Sequence, residues 1–147
     1  MNKLFQAFLS GMFFSFIIDF FIFLGLKINY IDFYDIKVYY NTLFADNQNI
    51  FIFSFGVVLF GYITIYLKNK ILKLTIFLII FLLSLSPLIT QVGKSMGELL
   101  FLKKNVILKD KKYKYKGNIL YNGRSKITFF DTDINKTILL NKGELIK

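Results

Sequence analysis

Long apolar runs occupy most of the first ninety positions of the chain. They cover residues 4–26, 50–67 and 71–89, and each contains at most one charged side chain. A helix needs about 20 mostly apolar residues, at about 1.5 Å each, to cross a hydrocarbon core of about 30 Å. The pattern therefore predicts three transmembrane helices. The short polar segment Lys68-Asn69-Lys70 predicts that the second and third form a tight antiparallel hairpin.

The pattern changes at Pro87, which is expected to bend or end the third helix. Beyond it, apolar residues recur at spacings of three and four, with polar residues between them. That spacing predicts an amphipathic helix that leaves the membrane and ends near Lys103 and Lys104. Its apolar positions are Leu88, Val92, Met96, Leu99 and Leu100.

From residue 105 the chain changes to short alternating runs separated by turn residues. Candidate strands cover residues 105–109, 112–121, 125–131 and 136–140. The pair Asn122-Gly123 is a strong hairpin signal, because both central residues of a type I′ turn need a positive φ. We therefore predict an antiparallel β-meander of four strands that is SH3-like, with a four-residue loop before the last strand.

The predicted fold class is thus an α+β membrane protein with two regions. Residues 1–104 form three transmembrane helices with an amphipathic extension, and residues 105–147 form a small extramembrane β-domain. A domain of about 40 residues usually needs disulfides, a metal or a partner to remain folded. We therefore expect the sheet to pack on the amphipathic extension, on the membrane or on another copy of the chain.

Aromatic residues are frequent in the loop that joins the first two apolar runs. They alternate with charged residues and are Tyr30, Phe33, Tyr34, Tyr39, Tyr40 and Phe44. Tyr is enriched where an apolar environment meets water, so we expect this loop to lie along the membrane interface. A surface that binds a partner would have the same composition.

Composition excludes several kinds of chemistry. The chain has 147 residues without Cys or His, which removes disulfides, thiolate nucleophiles, Cys-zinc sites and the most common general base. Hydrophobic residues make up 55% of the chain and charged residues 19%, which excludes a soluble globular enzyme. The net charge of +10 accompanies few Ala, Arg and Pro, as in bacterial genomes of low G+C content, and does not predict nucleic-acid binding.

Asp19 is the acidic residue within the apolar runs and the leading candidate for function. At the centre of a bilayer such a side chain costs roughly 2.5–3.5 kcal/mol. It completes a stripe in which Ala7, Gly11 and Ser15 precede it at intervals of four, on a face where small residues allow close helix packing. The stripe is either a packing seam whose register Asp19 fixes or a proton or cation site. The lack of a second charge favours the seam.

Residues on the other two apolar runs are expected beside this stripe. Ser54 and Ser84 should lie at a depth comparable with Asp19, and Ser54 shares a helix face with Gly61, seven residues later. The candidate residues for helix packing or a proton site are therefore Asp19, Ser15, Gly11, Ser54, Gly61 and Ser84.

Three short motifs resemble ligand sites without meeting their requirements. One is Gly93-Lys94-Ser95, which matches the end of a phosphate-binding loop. It fails because no strand precedes it and Leu88 stands where the motif needs Gly. Gly93 and Gly97 are therefore interpreted as a packing face. Residues 131–142 begin like a calcium loop but lack its Gly and final Glu. The alternating Lys and Tyr of residues 111–116 are typical of a solvated strand. We predict no metal, cofactor, catalytic residue or nucleic-acid partner.

Four short segments carry a resemblance in layout. They are residues 93–98 (GKSMGE), 115–123 (YKGNILYNG), 129–131 (FFD) and 143–146 (GELI). With three spans and an aromatic first loop before them, they resemble uncharacterised small bacterial inner-membrane proteins that carry a short C-terminal β-domain. The resemblance implies this layout and the inner membrane, and it implies no activity.

We therefore expect a non-enzymatic accessory or assembly subunit of a bacterial inner-membrane complex, in contact with lipids and with a partner protein or another copy. The alternatives are a proton- or ion-linked transport component that uses Asp19, and a membrane immunity or protection protein. The Lys cluster of residues 68–73 and the acidic first loop favour a cytoplasmic N-terminus and a periplasmic β-domain. The total count of Lys on each side favours the reverse.

Overall fold

Helices come first and a β-sheet follows in the computed structural model, which describes residues 2–110 and 112–146. Within these residues the helices are α1 (Lys3–Leu26), α2 (Tyr40–Asn47), α3 (Ile50–Ile65), α4 (Lys70–Leu85) and α5 (Thr90–Phe101). The strands are β1 (Lys103–Lys109), β2 (Lys114–Asn122), β3 (Lys126–Asp131) and β4 (Lys136–Asn141). The α+β class is therefore confirmed.

Two of the apolar helices have the length and composition of membrane spans. α1 continues through a π-helical turn, Lys27–Ile31, to give a helix of 29 residues, and α4 continues through the 3₁₀ turn Ser86–Leu88 to give one of 19. α3 has 16 residues, which correspond to about 24 Å. It qualifies as a third crossing only together with α2, from which it is bent by 87°.

An Asn residue caps the start of each apolar helix. The side chain of Asn2 accepts a hydrogen bond from a backbone N–H at the start of α1, and Asn49 and Asn69 do the same for α3 and α4. Such a cap satisfies an N–H group that has no partner within the helix. These local signals define where the apolar helices begin.

α1 is the central helix of the apolar region. It packs closely along α3 and less closely along α4, where the rings of Phe14 and Phe77 have centroids 4.4 Å apart. The predicted hairpin of α3 and α4 is not tight, because few of their backbone positions approach each other. They meet instead through long side chains, such as the stacked rings of Phe60 and Phe77 at 5.9 Å.

Pro87 ends α4, as predicted, and α5 begins three residues later at Thr90. The break frees backbone carbonyl groups, which need other donors when they are buried. The side-chain amide of Asn29 donates hydrogen bonds to the carbonyl oxygens of Pro87 and Leu88, at 2.8 and 3.0 Å. The turn after α1 therefore stabilises the break between α4 and α5.

α5 buries the predicted packing face of Gly93 and Gly97, and not the apolar positions of the amphipathic pattern. Gly93, Gly97 and Phe101 are buried at intervals of four, whereas Leu99 is exposed. The spacing of the two glycines indicated this face, whereas the hydrophobic pattern did not, because glycine contributes little to hydropathy. A Cβ at Gly97 would overlap the ring of Tyr30, so the glycine allows the turn after α1 to contact the helix backbone.

The sheet is an antiparallel meander with the order β1-β2-β3-β4, which confirms the predicted topology. An isolated bridge between Lys109 and Ile146 also brings the chain after β4 back to β1. One face buries the sheet's own core, which consists of Ile119, Ile127, Phe129 and Leu140. The other face packs on α5 and the first loop through Leu120 and Tyr121, so the extension is the support that the sheet uses.

The β2–β3 hairpin forms with a different turn from the predicted one. Asn122 is the last residue of β2 and pairs with Ile127, so three residues, 123–125, connect the strands. Asn122 does not have a positive φ, and neither does any glycine among the described residues, so no type I′ turn is present there. The turn is held by a tertiary contact, an ion pair of Arg124 with Asp46 in α2.

Candidate functional site

The predicted stripe on α1 packs against α3 through its first three members. Ala7, Gly11 and Ser15 are all buried. A Cβ at Gly61 would lie 2.9 Å from the carbonyl carbon of Ala7, and one at Gly11 would overlap the carbonyl oxygen of Val57. Because both glycines are required for this backbone approach, the small residues here serve helix packing.

Ser54 and Ser84 lie outside this seam. Ser54 is exposed on α3, whereas Phe53, eight residues before Gly61, is half-buried. The seam follows residues spaced by four along the helix. Ser54 is seven positions from Gly61, so it does not lie on that row. Ser84 is buried, but its hydroxyl donates to the Phe81 carbonyl of its own helix at 2.7 Å.

Asp19 follows the seam by one helical turn and contacts the end of α2. Its Oδ2 accepts a hydrogen bond from the side-chain amide of Gln48 at 2.9 Å. α2 crosses α1 at this level, where the Tyr40 hydroxyl donates to the carbonyl oxygen of Phe20 at 3.1 Å. Asp19 therefore lies close to the position where α3 begins. Nothing in the sequence pattern pointed to Gln48 as its partner.

A joint between α1 and the sheet is built around Tyr30, which the sequence did not single out. The Tyr30 side chain is fully buried, and its hydroxyl donates to the carbonyl oxygen of Leu120 at 2.8 Å. A register shift between Ile119 and Tyr121 leaves Leu120 without a partner in β3, so its carbonyl is available to this donor. With Asn29, Gly93 and Gly97, these two residues form what we call the joint.

A polar and aromatic cluster lies beside the joint. The Tyr34 hydroxyl donates to Oε1 of Glu98 at 2.9 Å. Burial, the hydrogen bond and the charge of this carboxylate raise the pKa of Tyr34 to about 12, so the phenol stays protonated at neutral pH. Nζ of Lys94 lies 4.0 Å from the ring centroid of Phe33, in a cation–π contact. These contacts attach the first loop to the polar side of α5.

A cationic cleft separates α2 from the β2–β3 turn. In it, Nε of Arg124 pairs with Oδ1 of Asp46, whose side chain is 10% exposed. Its main cavity of about 410 Å³ is also lined by Lys37 and Lys126, and the adjoining cavity reaches Lys142. Sequence reasoning missed this cleft because its charges come from five separate segments, namely the loop before α2, α2 itself, the β2–β3 turn, β3 and the segment after β4.

No group of three or more acidic, His or Cys residues that could hold a metal is present within residues 2–110 and 112–146. The rejected calcium-loop motif forms a hairpin turn in the structure. Oδ1 of Asp131 accepts hydrogen bonds from the backbone N–H groups of Asp133 and Ile134, at 2.9 and 3.4 Å. This is the turn expected from Asp in such a position.

Comparison with known proteins adds no relative from which a role could be transferred. No protein-family model, curated protein or solved structure matches the chain. What the protein does is therefore inferred from its own residues.

Proposed function

We propose that the protein is a non-enzymatic accessory or assembly subunit of a bacterial inner-membrane complex, which docks a partner protein through α5. The observation that carries this proposal is the exposure of Leu99 and Leu100, at 85% and 55%, on a helix that follows the last apolar span. Val92 in this helix and Ile89, the residue just before it, extend the exposed apolar surface. Contiguous exposed apolar surface of this kind marks interaction sites.

The joint supports this role because it holds α5 in a fixed orientation. Tyr30 reaches the sheet, Asn29 reaches the break before α5, and Gly93 and Gly97 allow both contacts. A surface that is already rigid loses less conformational entropy on binding than a mobile one. The joint therefore holds the exposed apolar residues of α5 as a preorganised surface.

In this proposal the chain crosses the membrane three times. The end of α3 and the start of α4 carry Lys68, Lys70 and Lys73. Gly61, near the end of α3, packs on Ala7 close to the start of α1, whereas the joint lies after the other end of α1. Lys side chains near helix ends reach the headgroups, so this end suits a membrane boundary. We place the N-terminus and this cluster in the cytoplasm, and the sheet in the periplasm.

Purification of the tagged full-length chain in mild detergent, followed by mass spectrometry, tests the proposal. A stoichiometric partner is expected with the wild type and is expected to be lost with the double variant Leu99→Ser/Leu100→Ser. A matched control, Ile107→Ser/Ile134→Ser, changes two exposed apolar residues of the β-domain that do not line the cationic cleft, and it should retain the partner. Equal retention by both variants, or no partner with the wild type, would contradict the proposal.

Transport that uses Asp19 is the second candidate function. The neutral amide of Gln48 is the hydrogen-bond partner of its carboxyl group, so a proton could bind or leave without breaking an ion pair. A homo-oligomer that carries ion flux in liposomes would favour this candidate. A protein that shows neither partner nor flux would leave the role in immunity or protection.

A further inference from the structure

We propose that the cationic cleft between α2 and the β2–β3 turn binds the phosphate of an anionic phospholipid headgroup. Cations line it on several sides, from Lys37, Arg124, Lys126 and Lys142. Asp46 is paired with Arg124, and Lys37 is paired with Asp35, so Lys126 and Lys142 are the lining cations without an ion pair among the described residues. The unpaired positive charge of the cleft therefore attracts a phosphate. This inference rests on membrane insertion of the helices but does not depend on a partner protein.

Arg124 supplies hydrogen-bond donors that are oriented in advance. Its Nε is used by Asp46, but no residue among 2–110 and 112–146 accepts a hydrogen bond from its terminal nitrogens. Its side chain is 73% exposed, so these donors are open to the cleft and to solvent. The planar guanidinium group matches the geometry of a phosphate, and the ion pair with Asp46 restricts its position.

Hydroxyl groups add further donors to the same walls. Thr42 in α2, Ser125 in the β2–β3 turn and Thr128 in β3 line the main cavity. Hydroxyls can bind phosphate oxygens alongside Arg and Lys. The cleft therefore combines an ion-paired guanidinium, ammonium groups and hydroxyls, which together are suited to one phosphate.

The cleft lies at the depth expected for lipid phosphates. α2 and α3 are consecutive and meet at a bend of 87°, and Asp46 precedes the first residue of α3 by four positions. One side of α2 rests on apolar α1, where the ring centroid of Phe44 is 5.7 Å from that of Phe16 and 5.2 Å from that of Phe23. The hydrocarbon boundary thus passes close to α2, and headgroup phosphates lie just beyond such a boundary.

The chain offers a charge-matched control at the other end of the sheet. Lys126 pairs with Asn141 at the end beside α2, and Lys142 follows Asn141. Lys114 and Lys136 are exposed at the opposite ends of β2 and β4. Lys126→Gln/Lys142→Gln and Lys114→Gln/Lys136→Gln therefore remove the same charge from the two ends, and both leave Arg124 paired with Asp46.

The test is native mass spectrometry of the full-length chain in detergent, titrated with phosphatidylglycerol, phosphatidylcholine or inorganic phosphate. One phosphatidylglycerol is expected to bind in preference to phosphatidylcholine. Lys126→Gln/Lys142→Gln should raise the Kd for phosphatidylglycerol about 30-fold, at about 1 kcal/mol for each cation. The control variant should bind phosphatidylglycerol with the Kd of the wild type. Thermal unfolding of both variants confirms that the fold is kept.

Three results would overturn the inference. The first is equal loss of binding in the two variants, and the second is no preference for phosphatidylglycerol over phosphatidylcholine. The third is displacement of the lipid by inorganic phosphate at equal concentration, because this would indicate that the cleft binds a soluble phosphate. Flotation with liposomes separates this failure from that of the proposed function. A chain that floats but shows no lipid preference refutes only the lipid site, whereas a chain that does not float refutes the membrane role.

Discussion

The hydrogen bond from Tyr30 to Leu120 is expected to determine how firmly the sheet is held on α1. Tyr30→Phe keeps the buried ring beside Phe101, whose centroid lies 5.6 Å away, and removes only the hydroxyl. The Leu120 carbonyl has no partner in β3, so it would lose this donor while it remains buried. Leaving such a group unsatisfied costs about 2 kcal/mol. This cost raises about 30-fold the fraction of molecules in which the sheet is detached from α1.

Hydrogen exchange of the full-length chain in detergent measures this change. Amides of residues 119–121 should exchange about 30-fold faster in Tyr30→Phe, whereas amides within α1 should be unaffected. Tyr39→Phe is the matched control, because Tyr39 is 82% exposed. Exchange in Tyr30→Phe at the rate of the control would show that the hydroxyl does not hold the joint.

Three further predictions concern the helices and the orientation. Gly61→Ala should separate α1 from α3 and lower the free energy of unfolding by about 1–3 kcal/mol. Gly143→Ala is the control and should leave this free energy unchanged, because a Cβ there would meet nothing within 4 Å. Unfolding in mixed micelles measures both variants. Asp19→Asn can still accept the hydrogen bond from Gln48, so function should survive Asn and fail with Leu, and failure with Asn would show that ionisation is needed. A reporter fused after Lys147 should be active only in the periplasm, and cytoplasmic activity would reverse the orientation.

Features that depend on neighbours along the chain could be predicted from the sequence. Strand alternation and turn residues predicted the meander, and Pro87 predicted the end of α4. The apolar runs predicted the helices, but the hydropathy pattern overestimated α3. Its helix ends at Ile65, two residues before the end of the apolar run. Hydropathy measures the partition of side chains, whereas helix ends depend on caps and backbone hydrogen bonds.

Features that depend on distant partners could not be predicted. The turn after β2 is set by Arg124 and Asp46, which are 78 positions apart, and Asp19 meets an amide 29 positions later. The packing face of α5 was predicted from its two glycines, but the segment that packs on it was not. Gly93 and Gly97 add almost nothing to a hydrophobic pattern, although the first loop packs on them. The candidate seam was recognised because small residues at intervals of four are a local signal. Ser54 was assigned to it from a spacing of seven residues to Gly61, which does not follow the i, i+4 row of the seam.

The continuous helix from Lys3 to Ile31 has a mechanical consequence. Its 29 residues correspond to about 43 Å, well beyond a hydrocarbon thickness of about 30 Å. A long helix adapts to a thinner bilayer by tilting. The end of this helix is attached to the sheet through Tyr30. In the proposed membrane arrangement, a change in tilt would therefore rotate the sheet together with the helix, and bilayer thickness would set the direction in which the sheet faces a partner.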